Sequence, residues 1–395
     1  MLHSRFPCLS ETFIYAQAES LRALGVPLWH VANHRPHPKE VHPPMRPIVG
    51  EVCYLQTLPW SVWAKAHRWA VALWGQHYWR TLRAAAASEA SWPQRLAQWA
   101  GAVAVLYLVR GQQVRVHAHF TYGAAAVARW CHQLAGVPYT LTLHGSDVLY
   151  DNPPDLAAKI GEAAGLVSIS QKNFSELDAR FPGRVPANRA VIPLGVVPQP
   201  YQPPPPLTWP VRILNVGRLS DHKAQHVLIA ACARLKAAGV SFVCDIIGEG
   251  ERREALAAQI AREGLTDVVR LLGARYHDEI LASYRDYHLF VLTSVVEGMP
   301  LVLMEAMNAG VPIVTTAVGA IPELVGETAL LVPPNAPEAV AEAILRVVHG
   351  EVDLPRLTAA AHERLRTHFD LNRNHARFAE WLTAQPAVRV PDGAG

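Results

Sequence analysis

The sequence predicts an α/β protein of two doubly wound, parallel-sheet domains, and three observations predict it. From Val211 onward short apolar runs alternate with helical patterns, the same rhythm runs less regularly through the first half, and PQPYQPPPPLTWP separates the two. Alternation of strand and helix is the pattern of βαβ units. A chain of 395 residues, 50% of them hydrophobic, also has apolar material for two cores rather than one.

Taken in order, the first half opens with only nine residues ahead of SETF, so its first strand is expected to be short or missing. A helix over residues 11–24 follows, then a strand over 28–32, the strand of VRVHAHF, a helix over 124–134, and the strands of TLTLH and LVSIS. The stretch 198–210 is expected to be a linker, because its prolines lack the amide donors of helix or ladder. Beyond it VRILNV, FVCDII, VVRLLG, LFVLT, VPIVTT and ALLVP read as strands, with helices over 224–238 and 252–262. Such near-continuous apolar runs suit parallel strands covered on both faces. A helix is expected over 371–384 and a disordered tail over 385–395, giving domains of 1–197 and 211–370.

Composition narrows the function classes. The net charge is only +3 and the basic residues are scattered, which argues against nucleic acid as partner. Cys8, Cys53, Cys131, Cys232 and Cys244 are odd in number and far apart, so they read as reduced thiols of a cytoplasmic protein. No apolar leader core follows Arg5, and the longest apolar run, AGAVAVLYLV, falls short of the ~20 residues a membrane-spanning helix needs.

Chemistry concentrates in three places. In EGMPLVLMEA, Glu297 and Glu305 flank a helix start at Leu301, with Gly298 and Pro300 permitting close approach. Free amides at a helix start bind anions. Glu305 is placed to reach a diol such as a ribose, and Glu297 a sugar. In NVGRLSDHKAQHVL a strand-end loop carries Gly217, Arg218 and Lys223, two cations suited to a diphosphate leaving group. In the first half, VHAHF carries His117 and His119, and TLHGSD carries His144, Gly145 and Asp147 at a strand end. A zinc site of these histidines is one reading; satisfied polar positions at a strand end are the other. No D-x-D occurs, GEG (residues 248–250) lacks the third glycine of a dinucleotide fingerprint, and no P-loop is present, so neither metal nor cofactor is expected.

With SRFPCLSETFI, HAHF, TLHGSD, VIPLGV, NVGRLSDHKAQHVLIAA, GEGERREAL, EGMPLVLMEAMNAGVPIV and GAIPELV in this order, the chain resembles the family 4 glycosyltransferases over most of its length. Its opening is similar to enzymes of exopolysaccharide assembly, the colanic-acid type among them. The resemblance implies a GT-B fold, two Rossmann-like domains facing across a cleft, with the helix over 371–384 crossing back to the N-terminal domain. It implies that Arg218 and Lys223 grip the phosphates of a UDP-, GDP- or ADP-sugar and that Glu305 holds the ribose. Glu297 and the backbone at Gly298, Met299, Pro300, Leu301 and Val302 would hold the transferred sugar. The base would lie by Gly273, Arg275 and Tyr276, His144 would face the sugar, and Ser10, Glu11 and Thr12 would adjoin the diphosphate and acceptor. The sequence departs from the family at Val197, where Asp is usual, and in its short first strand.

Together these imply a retaining, metal-independent glycosyltransferase acting on a glycan or lipid-linked acceptor in surface polysaccharide assembly. The alternatives are a sugar-nucleotide epimerase or hydrolase and a noncatalytic donor-binding subunit. Seven tryptophans over 60–99 (Trp60, Trp63, Trp69, Trp74, Trp79, Trp92 and Trp99) are interleaved with Lys65, Arg68, Arg80, Arg83 and Arg95. They suit either peripheral contact with the inner face of the membrane or ordinary packing on the sheet.

Overall fold

The computed structural model describes residues 1–8, 11–38, 41 and 43–393. They divide into two compact units, Met1–Ile192 with His375–Gly395, and Pro193–Asn374.

The first unit contains β1 (Leu2–Arg5), β2 (Val31–His34), β3 (Cys53–Tyr54), β4 (Gln113–Val114), β5 (Val116–His119), β6 (Tyr139–Leu143), β7 (Gly165–Ser168) and β8 (Arg189–Val191). All but β4 form one parallel sheet in the order β3-β2-β1-β5-β6-β7-β8. The first strand is short, at four residues, yet central: its Leu2 pairs with Val31 on one side and Ala118 on the other. That register places β2 at Val31–His34 rather than 28–32. Leu28 is apolar for another reason, since it packs on a cluster containing Leu21, Val167, Ile192 and Phe378.

The tryptophan-rich segment is three helices, Trp60–Trp74, Gln76–Ala86 and Trp92–Leu108, the first two separated at Gly75. The apolar run at the end of the third is core: Ala102 to Leu106 are buried, packed with the alanines of helix Gly123–Ala135. Trp99 is buried and Trp63, Trp69 and Trp74 pack on the same core, whereas Trp60, Trp79 and Trp92 are exposed. Among the described residues, no helix is long and apolar enough to cross a membrane.

The chain end belongs to this unit too. Helix Leu371–Thr383 buries Phe378, Ala379 and Leu382 in the Leu21–Ile192 cluster. The tail departs from the expected disorder. Val388–Arg389 pairs antiparallel with β4, and Val390, fully buried, exchanges backbone hydrogen bonds with Gly111 and Gln112. One well-buried valine and a short ladder offset the ordering entropy that the polar composition of the tail suggested would prevail.

In the second unit β9 (Val211–Val216), β10 (Phe242–Ile247), β11 (Val269–Gly273), β12 (Leu289–Leu292), β13 (Ile313–Thr316) and β14 (Leu330–Val332) form a parallel sheet in the order β11-β10-β9-β12-β13-β14. This is the doubly wound 3-2-1-4-5-6 arrangement, with its order reversing between β9 and β12. The expected linker is instead a strap on this unit. Prolines lack N–H groups but keep carbonyls, and Arg285 donates to Pro203 O (3.1 Å). Asn308 Oδ1 accepts from Gln199 N (2.8 Å), His362 Nε2 bonds Gln199 O (2.7 Å), and Tyr201 Oη bonds Thr358 Oγ1 (3.2 Å).

Candidate active site

In an open parallel sheet the crevice for ligands lies beyond the strand carboxyl ends where the order reverses. In the second unit that point lies between the loops after β9 and β12, and these loops carry Gly217, Arg218, Lys223 and Glu297. The loops are tied together. Val295 N donates to His222 O (2.8 Å), and Thr293 Oγ1 donates to Ala224 O (3.1 Å), which holds Ala224 in a left-handed conformation before helix Gln225–Ala237.

Lys223 Nζ lies 2.5 Å from Glu297 Oε1, the same oxygen that accepts from Ser294 Oγ at 2.7 Å. Glu297 is buried and Lys223 about one-quarter exposed, so the ammonium is held at the sheet edge with one face open. The stem of Lys223 lies along Gly217, whose absent Cβ would sit 3.5 Å from Lys223 Cδ. Arg218 is exposed, and among the described residues its guanidinium has no ion-pair or hydrogen-bond partner. Its loop is clamped from below by the GEG turn. Gly217 N donates to Ile247 O and Leu219 N to Glu249 O, and a Cβ at Gly248 would fall 1.9 Å from Gly217 O. A Cβ at Gly250 would likewise fall 2.3 Å from Leu219 O, so Gly248 and Gly250 are backbone supports for the cation loop, a role that comparison with dinucleotide fingerprints did not reveal.

Gly298 O accepts from Ala320 N, and helix Leu301–Asn308 starts three residues further on, after Pro300; Met299 is buried and Leu301 and Val302 half-buried. One turn in, Glu305 has both oxygens engaged. Tyr284 Oη donates to Oε2 (2.8 Å) and His277 Nε2 bonds Oε1 (2.8 Å). The bond to Glu305 raises the His277 pKa above its ordinary value, while burial and the same carboxylate push the Tyr284 phenol well up. Neither His277 nor Tyr284 stood out in the sequence. Gly273 O accepts from Gly248 N (2.9 Å), and Arg275 and Tyr276 are exposed on the turn leading to His277. Contacts thus link the carboxyl ends of β9, β10 and β11 to the helix that carries Glu305.

The first unit gathers its candidates at β5 and β6. The register His117↔Thr140, His119↔Thr142 puts the histidines beside hydroxyls, and His117 bonds Thr140 Oγ1 (2.8 Å) and Thr142 Oγ1 (2.9 Å) through its two nitrogens. Both His117 nitrogens are thereby committed. Among the described residues no group of three or more His, Cys, Asp or Glu is placed to hold a metal ion. His144 Nε2 lies 3.1 Å from His119 Nδ1, and its ring packs 4.3 Å from Phe120 and 4.9 Å from Phe13, centroid to centroid. Burial pushes its pKa down to about 3, so it is a neutral hydrogen-bonding group at neutral pH. Gly145 has φ +100°, which a side chain would resist, and delivers Asp147 back beneath the loop. Asp147 is fully buried, and its two oxygens accept from His144 N (3.0 Å) and Thr121 N (2.9 Å). It fixes the loop that holds His144; its carboxylate is not exposed to a ligand, contrary to the substrate contact expected of it. Phe13 brings helix Thr12–Ala23, and hence Glu11 and Thr12, beside His144. Burial raises the Glu11 pKa to about 7 against the pull of Arg5. Ser10 lies outside the described residues.

Residues 207–364, which carry the Lys223–Glu297 pair, match the family described as glycosyl transferases group 1. The amylovoran biosynthesis glycosyltransferase AmsK of Erwinia amylovora is 35% identical over 184 residues, covering 45% of this chain and 45% of that protein. The match thus spans about half the length of that relative. Among solved structures, a glycosyltransferase from Rickettsia africae ESF-5 superposes with a TM-score of 0.68 at 16% identity, over 97% of both chains. The sucrose-phosphate synthase from Thermosynechococcus elongatus gives 0.66 at 18% identity, over 96% of both. At such identities the likeness is one of fold. The chain therefore has the α/β fold of the GT-B glycosyltransferases, and its residues 207–364 are a glycosyl transferases group 1 domain.

Proposed function

We propose that the chain is a retaining, metal-independent glycosyltransferase that moves a sugar from a UDP-, GDP- or ADP-sugar to a glycan or lipid-linked acceptor in surface or extracellular polysaccharide assembly. The observation that carries this reading is the pairing of Lys223 with Glu297, beside the unpartnered Arg218, at the point where the strand order of the second sheet reverses. When the glycosidic bond breaks, charge develops on the leaving diphosphate. Two preplaced cations and the amides at the start of helix Leu301–Asn308 meet that charge without reorganising. Glu305, held by Tyr284, accepts from the ribose hydroxyls, and Glu297 and the adjoining backbone hold the sugar. Asp147 is enclosed by its two backbone donors and unsuited to a covalent intermediate, and on this reading attack comes from the face the phosphate leaves, with that phosphate taking the acceptor proton.

The test is turnover and slow hydrolysis across a panel of UDP-, GDP- and ADP-sugars. Lys223→Ala is expected to lower turnover ~10²-fold or more. Near-normal turnover removes Lys223 from the mechanism, and no binding of any nucleotide sugar defeats the proposal.

Since Trp63, Trp69, Trp74 and Trp99 pack inward, the exposed Trp60, Trp79 and Trp92 are left for the proposed membrane contact, and Trp79 has the exposed Arg80 and Arg83 on its own helix, Gln76–Ala86. Cosedimentation with anionic vesicles at low salt, lost in Trp79→Ala/Arg83→Ala, is the expected result; no cosedimentation of the unaltered protein removes the contact and, with it, the peripheral assignment of a cytoplasmic enzyme.

A further inference from the structure

The first unit holds a cavity of about 480 Å³ lined by none of the candidate site residues described above. It opens at the carboxyl ends of β1 and β2 and the start of helix Gly123–Ala135, next to the order reversal between β1 and β5. That is the counterpart, in the first sheet, of the place the donor residues occupy in the second. Its size lies within the ~300–1,000 Å³ typical of small-molecule sites.

Three polar side chains converge there without partners. Among the described residues Ser4 Oγ, the Asn33 amide and the Gln98 amide make no hydrogen bond within the protein. All three face one vacant point: a Cβ added at Gly123 would lie 3.1 Å from Asn33 Nδ2, 3.7 Å from Gln98 Nε2 and 3.9 Å from Ser4 Oγ. Gly123 does not have the positive φ that makes glycine necessary elsewhere, and as the first helical residue it forgoes the better helix propensity of alanine. What the glycine provides is space in front of these groups. Trp63 and Leu55 supply an apolar wall, and the lining contains no Asp, Glu, Lys or Arg. His34, at the rim, is hydrogen-bonded through Nδ1 to Gln56 Oε1 (3.0 Å).

We infer that this cavity binds an uncharged pyranose, the acceptor residue of the transfer proposed above, on which reading the inference rests. Amides and a hydroxyl offer both donors and acceptors, matching sugar hydroxyls that do the same. An indole and a leucine suit the C–H face of a pyranose ring. A uronic acid or sugar phosphate would leave its charge without a cation, which such a wall disfavours.

The test is saturation-transfer NMR on the full chain with methyl α-D-gluco-, galacto- and mannopyranoside and with D-glucuronate. UDP, GDP and ADP are titrated into the same samples. At least one methyl hexoside is expected to bind, and Gly123→Ala and Gln98→Ala should each weaken it ~10-fold, the value of one good contact. Gly123→Ala should leave the melting temperature unchanged or raised, so its loss of binding is not loss of fold. The inference is overturned if no hexoside binds at ~10 mM, if both variants bind as the unaltered protein does, or if glucuronate binds more tightly than every hexoside. Nucleotides binding without hexosides sinks this inference alone. Hexosides binding as described without any nucleotide upholds the cavity and sinks the donor reading.

Discussion

Acidification should unfold the first unit well before it disturbs an ordinary domain. Six histidines there are held neutral by burial: His30, His117 and His144 are pushed down to about 3, His375 to about 4, and His3 and His119 well below their ordinary value. Burial is the first cause for each, and mutual proximity adds to it for His3, His117 and His119: His3 stacks on His119, bonds His30 at 3.1 Å, and His119 in turn bonds His144. Each folded pKa is depressed, so below about pH 6.5 the unfolded chain takes up protons that the folded chain does not, and stability falls with pH until the folded values are reached. From about pH 7.5 to about pH 5.5 each such histidine removes ~1.4 kcal/mol, or ~8 kcal/mol for the six if they titrate independently. Two carboxyls oppose them. Glu11, raised to about 7, and Asp147, raised to about 6, bind protons in the folded state first and return together ~3 kcal/mol over the same interval. The net loss of ~5 kcal/mol is comparable with the whole stability of a marginal domain. Ten of the eleven tryptophans lie in this unit, Trp209 being the exception, so urea unfolding followed by tryptophan fluorescence reports on it selectively. His117→Gln, which keeps partners for Thr140 and Thr142, should reduce the net pH-dependent loss by ~1.4 kcal/mol, about one-quarter of it. A loss below ~1 kcal/mol, or a gain, would refute the claim that these histidines remain neutral when folded.

The remaining predictions concern the second unit. Gly248→Ala drives a methyl into Gly217 O and forces alanine to φ +149°, so it should cost at least ~2 kcal/mol in calorimetric melting and weaken nucleotide binding by displacing Arg218. Tyr284→Phe removes the buried donor to Glu305 and should cost ~1–3 kcal/mol, with nucleotide affinity falling more than that of an isolated pyrophosphate. His277 has a raised pKa, so its contribution to stability is present below its ordinary pKa and fades as pH rises through the folded value; the same proton strengthens its hold on Glu305. If the ribose competes for that carboxylate, nucleotide affinity should rise with pH through this range and lose the dependence in His277→Ala, as isothermal titration at several pH values would show.

How much of this was legible depended on whether a residue's role is local. The second sheet could be read because its strands are covered on both faces and so appear as unbroken apolar runs, and its site loops follow directly from strand ends. Residues 74 positions apart, such as Lys223 and Glu297, gave no sign of pairing through one oxygen. Tyr284 and His277 looked like ordinary members of a helical stretch until the fold set them against Glu305. The prolines of 198–210 advertised missing donors but not the carbonyls of this segment, Pro203 O and Gln199 O, that Arg285 and His362 use. One signal was present and unread: TLTLH alternates Thr140, Thr142 and His144 on one strand face as VHAHF alternates His117 and His119, and two such strands in register make a polar ladder.

The coupling of Lys223 to Glu297 bears on what any substitution at this pair can mean. Glu297 is buried and also accepts from Ser294, so removing the ammonium breaks a buried ion pair, which costs up to ~3–5 kcal/mol. Lys223→Ala should therefore lower both the melting temperature and turnover, and a fall in turnover alone does not separate the two. Pairing it with Glu297→Gln does. The double variant removes both charges, should recover most of the melting temperature, and still lacks the cation that meets the diphosphate. Glu297→Gln alone is the reference, because it alters the sugar contact by itself: if the double variant turns over like that reference, the lysine is a structural partner of Glu297 and the leaving group is met by Arg218 alone; if it stays ~10²-fold below the reference with stability recovered, the pair exists to hold Lys223 ready for a second, transient anion.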